Sequence, residues 1–175
     1  PKLPVTIAER LVTLVSEQMK AQIAQRFELP ADLTTDLILQ IRERAVLSLA
    51  SGSSDDDLLQ LVQQLKANGR LTPSIVLRAL CMGDLAFFEV AMAELADISI
   101  LNARELIHDA GKRGLRALFD RAKLPRSHFP AVRAAVDVAW ETAYDGGEND
   151  RERYSRRMIE RILTQYGDLG VQFDA

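Results

Sequence analysis

The 175-residue sequence is poor in several features that would define a class of protein. It has one cysteine, Cys81, so an internal disulfide is excluded, and the apolar surround VLRALCMG at 76–83 predicts a buried thiol. Aromatic residues make up only 6% of the chain. No apolar run reaches the ~18 residues of a membrane span and no signal peptide is recognisable. We therefore expect a cytoplasmic protein that is not associated with a membrane. A start at Pro1 instead of methionine suggests a processed or truncated chain.

Motifs that carry chemistry are scarce as well. The two histidines, His108 and His128, have no second ligand type at helical spacing, so no metal site and no cofactor are predicted. The sequence contains no phosphate-binding glycine loop, no nucleophile elbow and no dinucleotide fingerprint. A net charge of -3 gives no overall attraction to nucleic acid or to an anionic membrane. An enzyme therefore has no positive support, although a site could still assemble from distant residues.

The sequence does contain helical periodicity. Apolar residues, 47% of the chain, recur at helical spacing almost everywhere, and no segment alternates as a half-buried strand would. We predict about nine helices and an all-α fold. The first two helices each carry an apolar stripe that should face the core. The stripes consist of Ile7, Leu11, Val15, Met19, Ile23 and Phe27 on the first helix, and of Leu37, Ile41, Ala45 and Leu49 on the second.

Local signals mark where several helices begin. Ser54 precedes three aspartates and is a predicted N-cap, because acidic residues suit the positive end of the helix dipole. Thr72-Pro73 opens the fourth helix with a cap and a proline at the first helical position. The segment LAFFEVAMAELA at 85–96 is apolar except at Glu89 and Glu94, so it should be the most buried helix.

The connections between these helices are short, which predicts antiparallel hairpins with a period of about 30 to 40 residues from Thr72 onward. This period favours an irregular α-α superhelix of the HEAT or armadillo kind, with a closed helical bundle as the alternative. We expect N-terminal helices over residues 1–69 that could form a subdomain, a repeat-like domain over 70–166, and a loose tail over 167–175.

The stretch LIHDAGKRGL at 106–115 has the residue types of a small active site or an anion cradle. His108 and Asp109 are adjacent near a helix end, so their side chains diverge by about 100° and cannot pair directly. The better interpretation is a helix end, with His108 near the last carbonyls, Gly111 in the left-handed position, and Gly114 in the turn to the next helix. GKRG lacks the length and context of a phosphate loop.

The charge changes sign at this stretch. Residues 84–110 hold six acidic side chains and one arginine, whereas residues 112–126 hold six basic side chains and one aspartate. Such an asymmetry could form a recognition surface, and the alternative is that the charges lie on solvated faces of packed helices. The predicted partner-binding residues are Lys112, Arg113, Arg116, Arg121, Lys123 and Arg126.

Three long segments resemble a bacterial family catalogued as domain of unknown function 2336. They are RALCMGDLAFFEVAMAELA at 78–96, LIHDAGKRGLRALFDRAKLP at 106–125, and FPAVRAAVDVAWETAYDGG with DRERYSRRMIERILTQY within 129–166. The resemblance covers residues 71–166 and implies an α-helical, HEAT-like protein. It implies no activity, substrate or catalytic residue.

The sequence thus favours a non-enzymatic interaction or regulatory adaptor that binds another protein. Nucleic-acid binding through the basic segment 112–126 is an alternative, disfavoured by the acidic net charge. A further alternative is a ligand or enzyme site around His108, Asp109, Tyr144 and Asp145, which requires these segments to meet in space. The oligomeric state stays open.

Overall fold

A computed structural model describes residues 4–27, 31–109, 113–141 and 150–170. The described residues form nine α-helices and one short 3-10 turn, and they contain no strand, which confirms the all-α prediction. The helices are α1 (Val5–Phe27), α2 (Ala31–Ala50), α3 (Asp55–Ala67), α4 (Pro73–Cys81), α5 (Leu85–Ala96), α6 (Ile100–Ile107), α7 (Arg113–Arg121), α8 (Phe129–Glu141) and α9 (Asp150–Gly170), with the 3-10 turn at Arg126–His128.

The chain divides into two compact units, Pro1–Arg78 and Ala79–Ala175, called here unit 1 and unit 2. The division lies inside α4, and the domain boundary expected after residue 69 stays a prediction. The superhelical arrangement of the whole chain stays a prediction. At the C-terminus α9 continues to Gly170, beyond the expected helix end at Tyr166, and residues 171–175 lie outside the described part of the chain.

Side-chain caps start three of the helices, and one of these caps, Ser54, was predicted from the sequence. The Ser54 hydroxyl accepts the backbone N–H of Asp57 at 3.2 Å, which confirms the predicted N-cap of α3. Asp84 caps α5 in the same way, with its Oδ1 accepting the N–H of Phe87 at 3.1 Å. Ser99 caps α6, and Pro73 is the first residue of α4 as predicted. Each cap satisfies a backbone donor that the helix itself leaves unpaired.

In unit 1, α1 packs against α2 and α3, and its buried Glu9 joins three segments. Glu9 Oε1 accepts from the Arg70 guanidinium at 2.7 Å, and Oε2 accepts from the Gln64 amide at 2.7 Å. Thr13 donates to the same carboxylate at 3.1 Å. A carboxylate this buried is tolerated because its lone pairs have donors, one of them cationic.

Glu43 of α2 is a second buried carboxylate in unit 1. Its Oε2 accepts from Arg78 Nε at 3.0 Å and from the Ser74 hydroxyl at 2.8 Å, and its Oε1 accepts from the Thr72 hydroxyl at 3.2 Å. The start of α4 is thereby fixed to α2 by three hydrogen bonds to one side chain.

The predicted core stripes of α1 and α2 are wrong in their orientation. Leu11, Val15 and Leu37 are each 44–53% exposed, and Ile7, Met19, Ile41 and Leu49 are exposed to a similar degree. Instead, α1 buries Ala8, Glu9 and Ser16. Periodicity identifies which residues share a face, but it does not decide which surface that face meets.

Unit 2 is built around α5, which confirms the prediction that this helix is the most buried. Eight of its residues are buried, including Phe87, Phe88 and Met92, and it packs against α6 and α7. A second layer follows, since α8 packs against α9. Tyr154 of α9 is fully buried and donates its hydroxyl to the carbonyl of Ala135 at 3.1 Å, which joins these two helices.

The prediction of a buried Cys81 thiol is wrong, because Cys81 is exposed at the last position of α4. Ala79 and Leu80 take the buried positions of that turn, and the next side chain points about 100° further round the helix, toward solvent. The backbone carbonyl of Cys81 accepts a hydrogen bond from the hydroxyl of Ser155 at 3.3 Å.

Among the described residues, no helix combines the length and apolar character that a membrane crossing requires.

The backbone conformation of the turn after α7 can be tested by substitution. Lys123 has a φ of 56°, in the left-handed region where a side chain costs about 1 kcal/mol relative to glycine. We expect Lys123→Gly to raise the free energy of unfolding by about 0.5 kcal/mol, because glycine removes most of that cost while adding entropy to the unfolded chain. Urea unfolding followed by circular dichroism measures the change. The control Gln60→Gly, on the exposed face of α3, should lower stability by about 1 kcal/mol, and equal losses in both variants would contradict the prediction.

Candidate functional site

His108 ends α6, as the sequence predicted. It is the C-cap residue, and its backbone N–H donates to the carbonyl of Arg104 at 2.9 Å. Its side chain reaches the neighbouring helix α5, where Nε2 lies 2.6 Å from Oε1 of Glu89. The contact is a hydrogen bond between the imidazole ring and the buried carboxylate.

Glu89 is shared between two basic side chains of α6. Its second oxygen, Oε2, accepts from Arg104 Nε at 2.6 Å, and the glutamate is only 8% exposed. Arg104 and His108 are four residues apart, so they lie on the same face of α6 and reach one carboxylate together. The result is an ion-paired cluster that fixes α6 onto α5.

Glu89 was missed by the sequence analysis as a site residue, although a signal for it was present. A buried acid within an apolar helix must find a donor, and the next helix offers Arg104 and His108 at a spacing of four. Combining these two patterns would have predicted the contact. Asp109 follows His108 in the sequence but makes a different contact. Its Oδ2 accepts the backbone N–H of Gly114 at 3.3 Å, in the first turn of α7.

Gly114 lies inside α7 and not in the turn before it, contrary to expectation. It is buried against α6, where a Cβ at this position would be 2.8 Å from the carbonyl oxygen and 3.0 Å from the Cα of Leu106. Glycine is therefore required by the close approach of two helix backbones. Gly111, the predicted left-handed position, lies outside the described residues.

Trp140 of α8 lies beside the cluster. Its ring centroid is 5.7 Å from that of His108, with the two ring planes tilted by 59°, and the tryptophan is 56% exposed. A large aromatic side chain is normally at least half covered by its own protein, so the exposed fraction of Trp140 is unusually high. The His108 contact restricts the position of the indole while leaving much of it open to solvent.

A groove with a volume of about 360 Å³ opens next to Trp140, and it is called here the Trp140 groove. Its apolar wall is formed by Ile107, Leu115 and Val136 from α6, α7 and α8. Charges of both signs surround it, and Arg161 of α9 pairs with Glu141 at 2.6 Å. The remaining charged lining residues are Asp109, Arg133 and Asp137, with Arg133 Nε 3.9 Å from Asp137.

Two of the predicted partner-binding residues, Arg121 and Arg126, have partners within the chain. Arg121 donates to the backbone carbonyls of Ala96 and Asp97 at 2.6 and 3.3 Å, so it serves the C-terminal end of α5. Arg126 donates to Asp120 at 3.2 Å on the surface. Arg113, Arg116 and Lys123 are exposed, and the Arg116 guanidinium lies 5.4 Å from the centre of the Phe129 ring.

Three of the predicted site residues, Lys112, Tyr144 and Asp145, lie outside the described residues. Within the described ranges, no group of three or more histidine, cysteine, aspartate or glutamate side chains is arranged to hold a metal ion. The geometry therefore provides an oriented imidazole, a buried carboxylate and an exposed indole over an apolar wall. This combination suits the binding of an apolar side chain against the indole.

These features define an all-α protein with a groove beside an exposed tryptophan. A family model matches residues 1–172, and the chain belongs to that family, described as "Uncharacterised protein conserved in bacteria (DUF2336)". The match confirms the resemblance seen over residues 71–166 and extends it across the N-terminal helices. No curated protein and no solved structure matches the chain.

The shared carboxylate can be tested by Glu89→Ala. We expect the free energy of unfolding to fall by about 2–4 kcal/mol, because Arg104 and His108 lose their common acceptor. Urea unfolding measures this. The emission of Trp140, the single tryptophan, should also shift in the folded variant, since the His108 ring that restrains it is released. Glu105→Ala, an exposed carboxylate on α6, is the matched control and should change stability by less than about 0.5 kcal/mol.

The approach of α6 and α7 can be tested separately by Gly114→Ala. The added methyl group meets backbone atoms of Leu106, which cannot move aside as a side chain could, so we expect a loss of about 1–3 kcal/mol in unfolding free energy. A larger residue, Gly114→Val, should lose more. Ala117→Ser, on the exposed face of the same helix, serves as control. A Gly114→Ala variant as stable as the wild type would exclude the close approach.

Proposed function

We propose that the protein is a non-enzymatic binding module, and that unit 2 binds a segment of another protein in the Trp140 groove. The observation that carries this proposal is the 56% exposure of Trp140 beside an apolar wall. Tryptophan and arginine dominate the binding energy of protein interfaces, and both are present in this groove. The HEAT-like arrangement and the cytoplasmic location expected from the sequence belong to the same proposal.

The geometry also favours a type of partner. An apolar anchor side chain would pack mainly on the exposed indole, because Ile107, Leu115 and Val136 are each at most 5% exposed and present only a small apolar floor to the groove. Arg133 is half exposed and its contact with Asp137 spans 3.9 Å, which leaves it able to pair with an acidic side chain. Arg113 and Arg116 are exposed on α7, the helix that contributes Leu115. An amphipathic segment with acidic residues fits these features, and such binding should weaken as salt is added.

The test compares immobilised full-length variants in a cell lysate at two salt concentrations. We expect Trp140→Ala to reduce recovery of the partner protein at least about 10-fold, because a buried tryptophan anchor contributes about 2 kcal/mol or more. Arg113→Glu/Arg116→Glu should weaken binding mainly at low salt. Leu101→Ala, an exposed leucine outside the groove, should bind as the wild type does.

Circular dichroism of each variant confirms that it is folded. Equal recovery of the partner by the wild type and by Trp140→Ala would overturn the proposal. Recovery of nucleic acid with a steep salt dependence, lost only in the charge-reversal variant, would instead identify the basic segment as a phosphate-binding surface.

A further inference from the structure

A continuous apolar stripe lies on the outside of α1. It consists of five large side chains that are 42–63% exposed. The helix is buried against α2 and α3 mainly through small or polar residues, of which Glu9 and Ser16 lie on the side away from the stripe and Ala8 lies at its edge beside Val15. The five side chains keep about half of their surface in solvent, and they are Ile7, Leu11, Leu14, Val15 and Met19.

Three residues of the stripe have the spacing of a coiled-coil seam, and Val15 and Met19 lie beside it. Ile7, Leu11 and Leu14 are separated by four and three residues, and the next position of the same seam is Gln18. Three apolar seam residues over two helical turns are followed by one polar seam residue. This short seam has a defined register, because a polar residue at a seam position disfavours sliding. A helix that only covers a core does not need this strict spacing.

Two charges beside the seam indicate its direction. Arg10 and Glu17 are seven residues apart, so they occupy the same heptad position on the same flank. When two identical helices pack antiparallel, equal flanks meet, and Arg10 of each copy lies near Glu17 of the other. In a parallel pairing this flank would meet the one that carries Ala8 and Val15, and no charge pair would form. Both residues are exposed, and Glu17 has only a 3.8 Å contact with Arg42 in its own chain.

We propose that α1 is the interface of a homodimer, in which two copies of α1 pack antiparallel about a two-fold axis. Leu11 of one copy packs on Leu14 of the second, Ile7 lies level with Gln18, and two symmetric Arg10–Glu17 pairs close one flank. The exchange of equivalent contacts makes the interface self-complementary, as a closed two-fold dimer requires.

The area of the stripe agrees with a dimer of moderate affinity. From their exposed fractions, the five apolar side chains present roughly 450 Å² per copy, within the range of the largest apolar patches on monomers, many of which bind a partner. This area is smaller than the roughly 800 Å² per partner of a standard interface, so it agrees with a dimer of moderate and not of high affinity.

The first experiment measures the molecular mass of the full-length protein in solution by sedimentation equilibrium. We expect the wild type at micromolar concentrations to have twice the mass of one chain, and Leu11→Glu to raise the dissociation constant at least about 100-fold, because it places two like charges in an apolar seam. Leu101→Glu on α6 adds the same charge at an exposed position and should leave the dimer intact. A wild type that stays monomeric at several hundred micromolar would overturn the proposal.

The second experiment tests the direction of the helices by charge exchange. Arg10→Glu and Glu17→Arg should each raise the dissociation constant several-fold, since each variant places like charges together. The double variant Arg10→Glu/Glu17→Arg should restore it, because the pairs are re-formed with exchanged signs. Failure of the double variant to recover any affinity would contradict the antiparallel arrangement.

A third experiment uses cysteine cross-linking in a Cys81→Ser background. Antiparallel packing places Ile7 level with Gln18 of the second copy, so an Ile7→Cys chain should cross-link to a Gln18→Cys chain and not to itself, because the two Ile7 positions are about 16 Å apart along the axis. Self-cross-linking of Ile7→Cys would show a parallel pairing and reject the proposal. Binding of the wild type to anionic phospholipid vesicles, lost in Leu11→Glu while the mass stays that of a monomer, would assign the stripe to a membrane surface instead.

Discussion

The carboxylate of Glu89 is the constraint on which the groove of unit 2 depends. It lies on the most buried helix and accepts hydrogen bonds from Arg104 and His108 of the next one, so α6 cannot separate from α5 without leaving charges unpaired in a largely apolar surround. The imidazole, held at its Nε2, then borders the exposed Trp140. A buried charge thereby restricts the position of a surface aromatic ring several ångströms away, and the same cluster holds α6, one of the three helices that form the apolar wall beside that ring.

The same arrangement occurs in unit 1. Glu9 and Glu43 are both buried, and each pairs with an arginine from a later segment, Arg70 and Arg78 respectively. In all three cases the arginine side chain is about 30% exposed, while the glutamate is almost fully covered. This asymmetry reduces the cost of burial, because the guanidinium keeps part of its hydration while it satisfies the carboxylate. Helix pairs with few aromatic residues are thus joined by polar contacts of defined geometry in addition to apolar packing.

Much of the fold could be predicted from the sequence because its signals are local. Ser54 and Pro73 each mark the start of a helix by their own chemistry. The apolar segment 85–96 identifies a buried helix in the same way. The contact of His108 joins residues nineteen positions apart, so predicting it requires the acid within α5 to be matched with the basic pair at a spacing of four on α6, and neither pattern identifies the contact alone. The orientation of α1 failed for a different reason. Its apolar stripe was identified correctly, yet the helix uses its small and polar face within unit 1, and the periodicity of one chain is the same whether the apolar face meets its own core or another surface.

The three glutamate–arginine pairs also differ in the length of chain that each one closes. Glu89 and Arg104 are 15 residues apart, Glu43 and Arg78 are 35 apart, and Glu9 and Arg70 are 61 apart. Closing the longest of these loops costs about 1.2 kcal/mol more entropy than closing the shortest, because the cost grows with the logarithm of loop length. The contact between α5 and α6 is therefore the one that a folding chain reaches most readily, whereas α1 can pair with Arg70 only after the intervening helices have approached each other. On loop entropy alone, we expect the short-range pair in unit 2 to form before the long-range pair at the N-terminal end of the chain.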